Sequence, residues 1–416
     1  MKSKFVLIFF ACFAFSLAQE VTINQVYQWA KENYPVFQQK ELLKQRTKLQ
    51  INSTRKAYLP NVSLNGQATY QTDVTKIPFQ LPNMPIDEMS KDQYKIVGEV
   101  KQLIYDGGEI QNKVEQLQLQ ELLQAQEVEI NLYNLRTRIS DLYFGILLID
   151  KHLIQITYLE ENIQTALDKA EVALENGITF KSSVNELKAE LINSQQQRID
   201  IAYNRKSLLT MLSELTGQSL NESTVFLMPQ ISAMEFENQR PELELLDLRK
   251  QLLETEKKKI EQHWHPQVSA FVQGGYGRPG LNMLDDDFQA FAIGGVRFIM
   301  PLRGFYTIKN EIEMLKIQSD WLDTEKDTFL LNTKISEEKE KSEVEKYEKM
   351  IEKDREIIDL RKDVLASAEA QLQNGVITSH EYINKLNATY LAEITRDLHE
   401  IQKLKAYYQQ QIITGN

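Results

Sequence analysis

Two histidines flank a tryptophan at His263-Trp264-His265. Imidazoles at that spacing hold zinc only when further ligands join them, because zinc sites draw three or four ligands from the protein. The remaining histidines, His152, His380 and His399, stand far along the chain. The matching positions 206 residues earlier are Ala57-Tyr58-Leu59, which offer no ligand. An aromatic residue at a membrane boundary explains Trp264 and Tyr58 better, and no metal or other cofactor is expected. Asp285-Asp286-Asp287 could bind a divalent cation through carboxylate oxygens, although three adjacent acids also serve simply to keep a loop in water. No nucleophile elbow, phosphate loop or pair of histidines bracketing a helical acid is present, so an enzyme is not expected.

Composition narrows the classes further. The chain has 416 residues, 42% hydrophobic and 26% charged, close to the soluble average and unlike a polytopic helical membrane protein. Its 16 glycines and 10 prolines are too few for a disordered or collagen-like chain, and a net charge of −11 argues against a nucleic-acid-binding face. Lys2 and Lys4 precede an apolar run from Phe5 to Phe15 and the small residues of Ser16-Leu17-Ala18. This reads as a secretory signal peptide, residues 1–18, and its removal takes the charge from −11 to −13. The lone Cys12 goes with it; Phe9-Phe10-Ala11 before it lacks the leucine usual at a lipidation site.

The elements follow from periodicity. Residues 19–57 read as helix interrupted at Tyr34-Pro35, with Thr22 as a possible cap. Val62, Leu64, Gly66, Ala68 and Tyr70 then alternate with Ser63, Asn65, Gln67, Thr69 and Gln71, the period of a strand. A loop with Pro78, Pro82 and Pro85 precedes a second alternating run at about 94–105. From Asp106-Gly107-Gly108 to Glu175 the pattern is helical, and Leu132, Leu135, Ile139, Leu142, Ile146, Ile149, Leu153 and Ile156 form a heptad seam. About 70 such residues make a rod of ~105 Å. Asn176-Gly177 ends it, and a further helix runs from about Ser182 to Leu215.

The same order then returns. Tyr34-Pro35 recurs as Arg240-Pro241 and Pro60-Asn61-Val62-Ser63 as Pro266-Gln267-Val268-Ser269, both 206 residues later. Asn176-Gly177 pairs with Asn374-Gly375, and Thr216-Gly217 with Thr414-Gly415, both at 198. The expected organisation is a first repeat over 19–217 (strands about 61–71 and 94–105), a linker over 218–238, and a second repeat over 239–416 (strands about 267–277 and 288–300). A period of this length marks a duplication.

Four strands of about ten residues, apolar on alternate positions and aromatic near their ends, fit a transmembrane β-barrel. Four cannot close one, and an open edge is not tolerated in lipid. Three chains would supply twelve. Helical residues 36–57 and 180–216 would span ~33 Å and ~55 Å. Stacked, they come near the length of the long helix, so each repeat supplies two columns of a helical barrel. The expected fold class is mostly α with β: a duplicated strand-strand-long helix-turn-helix unit completing a trimeric 12-stranded barrel, continued by a periplasmic helical barrel. Ser63, Asn65, Gln67, Thr69, Gln273 and Gln289 would line a wet, uncharged lumen.

In its duplicated order, in Leu59-Pro60 and His265-Pro266 entering strands, and in its Asn-Gly tips, the chain resembles the TolC-like outer-membrane efflux protein family over essentially its whole length. The resemblance implies a homotrimer in outer-membrane lipid, extending into the periplasm and docking through a periplasmic adaptor onto an inner-membrane pump. It implies passage of small molecules, ions or proteins in a tripartite efflux or type I secretion system. It places adaptor docking at Asn176, Gly177, Ile178, Asn374, Gly375 and Val376, where glycine capping alone would also explain the turns. It places gate positions at Glu381 and Asn384, with Glu186 as the first-repeat counterpart of Asn384. A solvated helix face is the plain alternative for Glu381. The basic latch of some relatives is Ile377 here. A ring of Glu381 and the acidic chain would favour cations. The competing reading is a periplasmic coiled-coil adaptor or structural tether, which would need neither alternating strands nor a duplicated hairpin.

Overall fold

The computed structural model describes residues 20–75, 89–230, 238–302 and 304–416. The expected signal peptide, the prolines of the 76–88 loop and part of the linker lie outside the described residues. The chain divides into two units. One holds residues up to Phe37, Val128–Pro241 and Phe329–Asn416; the other holds Gln38–Glu127 and Glu242–Thr328.

In chain order the elements are β1 (Glu20–Val21), α1 (Ile23–Asn33), α2 (Gln39–Arg55), β2 (Asn61–Tyr70), β3 (Asp92–Tyr105), α3 (Glu109–Tyr133), α4 (Leu135–Glu175), α5 (Lys181–Thr216), β4 (Val225–Phe226), α6 (Pro241–Gln262), β5 (Gln267–Arg278), β6 (Gln289–Ile299), α7 (Gly304–Gln373) and α8 (Ser379–Thr414). Thr22 caps α1 in a capping box with Gln25, so two otherwise orphaned donors are satisfied. The long helix of the first half is interrupted at Asn134, which separates α3 from α4. Its counterpart α7 runs unbroken for 70 residues. Side chains on either side of the interruption are committed to the chain's C-terminal end: Tyr133 Oη donates to Ile412 O at 2.7 Å, and Arg136 to Asn416 O.

The first unit is helical. Ile156, Leu159, Ile163, Ala166 and Leu167 of α4 pack with Val184 and Leu187 of α5, Ala368 of α7, and Tyr382, Ile383 and Leu386 of α8. Their 3/4 spacing puts them on one stripe of each helix, as helix-on-helix burial requires. β1 and β4 form a two-residue parallel pair. Tyr143, fully buried on α4, places its hydroxyl between two carbonyl acceptors beside that pair, Val21 O at 2.8 Å and Leu227 O at 2.6 Å, which share its single proton. The expected linker is therefore stitched to the start of the described chain rather than free.

The second unit carries a four-stranded antiparallel sheet in the order β2-β3-β5-β6. Helices α2 and α6 and the adjoining parts of α3 and α7 share this unit, joined by pairs such as Lys258–Glu115 at 2.8 Å and Lys326–Asp247 at 3.0 Å. The Asp106-Gly107-Gly108 turn that leads into α3 is built by its carboxylate. Asp106 accepts from the Gly108 and Ile110 amides at 3.0 and 2.7 Å and from Tyr58 Oη at 3.2 Å.

Candidate functional site

The register fixes which side chains share a face of the sheet. Ser63 pairs with Glu99, Glu99 with Gln273 and Gln273 with Ile293; Gln67 pairs with Lys95, Lys95 with Gly277 and Gly277 with Gln289. Through the ladder, odd-numbered residues of all four strands therefore stand on one face and even-numbered residues on the other, up to an irregularity between Leu103 and Tyr105. The even face from Val62 to Ala68, Tyr94 to Val100, Val268 to Tyr276 and Ala290 to Phe298 carries no ionisable group that is charged at neutral pH. Most of its residues are exposed, Val62 by 72%, Leu64 by 77% and Val296 by 70%. At one end of this face Phe288 stacks on Tyr94 and Tyr276, and Arg278 lies over Tyr94 and Phe288 while pairing with Asp92. Tyr58 and Trp264 stand just ahead of β2 and β5, toward the other end.

Ser63, Asn65, Gln67, Thr69, Gln273 and Gln289 all fall on the odd face. That face is not uncharged. Lys95, Glu99, Lys101 and Arg297 stand on it as well, together with Phe271, Phe291, Val97 and Ile293. Gln273 donates to Glu99 at 2.5 Å and Arg297 lies 3.9 Å from it. The expectation of an uncharged face fails because its hydroxyl and amide residues come from β2, β5 and β6, whereas the charges come from β3 and β6 and join them through pairing.

Between the strands ahead of β3 and β6, Asp286 accepts from Ser90 N at 2.9 Å and from Ser90 Oγ at 2.5 Å. These hydrogen bonds hold its carboxyl below the usual carboxylate range. Asp285 accepts from Gln289 and from the Asp287 amide. The Asp285 and Asp286 carboxylates are thus tied up as loop fasteners. His265 is similarly occupied: its Nδ1 lies 3.0 Å from Gly107 O, a carbonyl that can only accept, so Nδ1 carries the proton. Among the described residues no cluster of three or more His, Cys, Asp or Glu side chains is arranged to hold a metal ion.

The two helix tips are near-copies. Asn176 Nδ2 donates to Val172 O and Asn374 Nδ2 to Ala370 O, both at 2.8 Å. Ile178 N reaches Ala173 O and Val376 N reaches Gln371 O, again both at 2.8 Å. Gly177 and Gly375 take φ of 74° and 70°, the left-handed conformation that a helix stop needs and a side chain resists. Ile178, Thr179 and Phe180 from one tip and Gly375, Val376 and Ile377 from the other line a cleft of about 560 Å³ with Lys169, Glu369 and Tyr382. Ile178, Phe180 and Val376 are more than two-thirds exposed at its rim. Ile377 packs against the helical core instead of offering a charge.

Glu381 and Asn384 line one shallow cavity with Asp363 and Lys385. Glu381 Oε2 accepts from Thr378 N at 2.9 Å and Thr378 Oγ1 at 3.2 Å, while Glu381 N donates back to Thr378 Oγ1 at 3.2 Å. The Thr378 backbone bond first, and its hydroxyl next, hold the Glu381 carboxyl below its ordinary value. Thr-x-x-Glu is the local sequence signature of this capping box. Glu186 Oε1 lies 3.2 Å from Nδ1 of His380, the residue next in sequence to Glu381.

No curated relative matches the chain in sequence. Residues 26–218 match the model of the outer membrane efflux protein family. The chain is TolC-like. Solved structures extend this over nearly its full length. A membrane protein from Pseudomonas aeruginosa superposes with a TM-score of 0.66 at 11% identity, covering 94% of this chain and 90% of that one. The Campylobacter jejuni CmeC outer membrane channel gives 0.63 at 11%, covering 94% and 85%. The open state of the Neisseria gonorrhoeae MtrE outer membrane channel gives 0.64 at 11%, covering 95% and 89%. At these identities the likeness is one of fold: a mostly helical TolC-like chain with a small sheet.

Proposed function

We propose that the chain is the exit duct of a tripartite efflux or type I secretion system, an outer-membrane channel formed by three copies. The observation that carries this reading is the sheet itself. Its even face is apolar and exposed, its odd face is charged, and β2 and β6 end the sheet with no partner among the described residues. A lysine or arginine facing lipid at mid-bilayer costs about 2–4 kcal/mol, so Lys95, Lys101 and Arg297 assign the odd face to the lumen and leave the even face to lipid. The two unpaired edges run antiparallel to each other, so β6 of one copy can pair with β2 of the next without breaking the alternation. Three copies then close an even-numbered barrel with no edge left in the hydrocarbon. The rings around Phe288 and those of Tyr58 and Trp264 suit the two interfaces of such a barrel.

The duplicated order of strands and helices supports two repeats per chain. In this reading the helical unit stands in the periplasm, and the cleft between the tips takes an apolar side chain from a periplasmic adaptor that links the duct to an inner-membrane pump. Glu381, Asn384 and Glu186 stand at the mouth. A tether or adaptor would have no use for a sheet that is apolar on its exposed face.

Size measurement and chemical crosslinking of the purified protein in detergent test the proposal. A trimer that needs detergent to stay in solution is the expected result; monomers or dimers alone, extractable in plain buffer, would overturn it.

A further inference from the structure

We infer that the odd face of the strands is a selectivity segment for amphipathic organic anions; this rests on the duct reading above. Three cations, Lys95, Lys101 and Arg297, share that face with one carboxylate, Glu99. Glu99 is already engaged by Gln273 and Arg297. Among the described residues no carboxylate pairs with Lys95 or Lys101. The wall is therefore cationic although the chain as a whole carries −11. Net charge does not decide the matter, because salt screens charges beyond roughly 8 Å and the groups on the wall dominate the local potential.

The cations are set beside flat apolar surface, twice over. Arg297 lies 4.8 Å from the centre of the Phe271 ring and Lys95 4.7 Å from that of Phe291. Each ring in turn lies over a glycine of the neighbouring strand. A Cβ at Gly295 would come within 3.2 Å of the Phe271 ring, and one at Gly275 would overlap the ring of Phe291. Val97 and Ile293 extend the apolar surface between them. An anionic head group finds Lys95, Lys101 or Arg297, and an aromatic or alkyl body finds Phe271 and Phe291. A small inorganic ion uses only the first half of that surface, and an amphipathic cation only the second. Repetition around three copies gives several weak sites in place of one tight one, which is what conduction needs.

Planar-bilayer recordings of the full-length trimer test this, using the reversal potential in a KCl gradient and block by 1-naphthalenesulfonate, with 1-naphthylmethylammonium as the comparator. The triple variant Lys95→Gln/Lys101→Gln/Arg297→Gln is expected to lower the chloride-to-potassium permeability ratio several-fold and to abolish sulfonate block. Lys101→Gln alone breaks no ion pair or side-chain hydrogen bond among the described residues and should shift both readings in the same direction by less, which covers failure of the triple variant to insert. Conducting channels in which neither variant changes the ratio or the block overturn the inference, as does stronger block by the ammonium compound than by the sulfonate. Absence of any conductance from wild-type trimers would instead overturn the duct reading, and this inference with it.

Discussion

Thr378 and Glu381 bond each other in both directions at the start of α8. The threonine amide and hydroxyl donate to the carboxylate, and the glutamate amide donates back to the hydroxyl. A carboxylate at this place thus has two separable properties, a negative charge at the tip and an acceptor for a helix terminus. Glu381→Gln removes the charge and keeps an acceptor that serves a capping box equally well. Thr378→Ala removes the cap and keeps the charge, at about 1 kcal/mol of helix stability. If the ring charge narrows the mouth, single-channel conductance should rise and divalent-cation block weaken in Glu381→Gln, with Thr378→Ala close to wild type. Asn384→Asp, one turn along the same cavity wall, should strengthen the block. Because the capping bonds hold the Glu381 carboxyl below its ordinary value of 4.5, the block should persist as pH falls past 4.5 and disappear only below it. Equal behaviour of all three variants and wild type would make Glu381 a helix cap and nothing more.

Tyr143 joins α4 to two segments that are remote in sequence, through Val21 O and Leu227 O, with its ring edge-on to Phe226 at 5.3 Å. Val21 O retains a second donor in Leu227 N at 3.0 Å. Tyr143→Phe therefore strips one carbonyl, that of Leu227, of this donor while keeping the ring. The expected loss is about 1 kcal/mol, the net worth of a hydrogen bond whose acceptor sits in a partly exposed residue, measured as a lower midpoint in denaturant unfolding. An unchanged midpoint would mean water replaces the hydroxyl.

Strand glycines separate packing from flexibility. At Gly66 an added Cβ meets nothing within 4 Å, whereas at Gly275 it meets the Phe291 ring and comes within 2.9 Å of Ile96 O. Both sit in regular strand, so intrinsic propensity treats them alike. Gly66→Ala should fold and assemble as wild type. Gly275→Ala should displace Phe291 at about 1–3 kcal/mol, the usual penalty for overpacking, and lower trimer yield on detergent gels. Similar yields from the two variants would remove the ring from its place over the glycine.

What the sequence reveals depends on how local the cause is. The alternation from Val62 to Tyr70 is a property of ten consecutive residues, and β2 occupies Asn61–Tyr70. The heptad leucines and isoleucines of α4 likewise declare a buried stripe before any partner is known. Thr22 and Thr378 both cap helices through residues three positions on, and both signals are equally local. Lys95, Lys101 and Arg297 are a different matter. Each lies in an alternating run, but which run faces which is set by cross-strand pairing, and a slip of one residue would send every side chain to the other face. β1 and β4 have two residues each and no period to detect. The pairing of Ser90 with Asp286 joins loops 196 residues apart, so the aspartate run could be read only as soluble or metal-binding.

His152 on α4 is a group whose titration should make the helical unit's stability depend on pH. Burial holds its imidazole below the ordinary value of 6.5, against the opposing pull of Asp397, and its Nε2 is buried without a hydrogen-bond partner. A group with a depressed native pKa binds fewer protons folded than unfolded. Its neutral form is therefore compatible with full stability above about 6.5, and stability declines as pH drops from there toward the lowered native value. Below that value both states are protonated and the decline from this group stops. His152→Leu keeps an apolar side chain in the same space and removes the titration. The variant should match or exceed wild type in melting temperature at pH 7.5 and fall less steeply between pH 6.5 and 5. Parallel melting curves across that range would show that the imidazole opens to water before it is protonated.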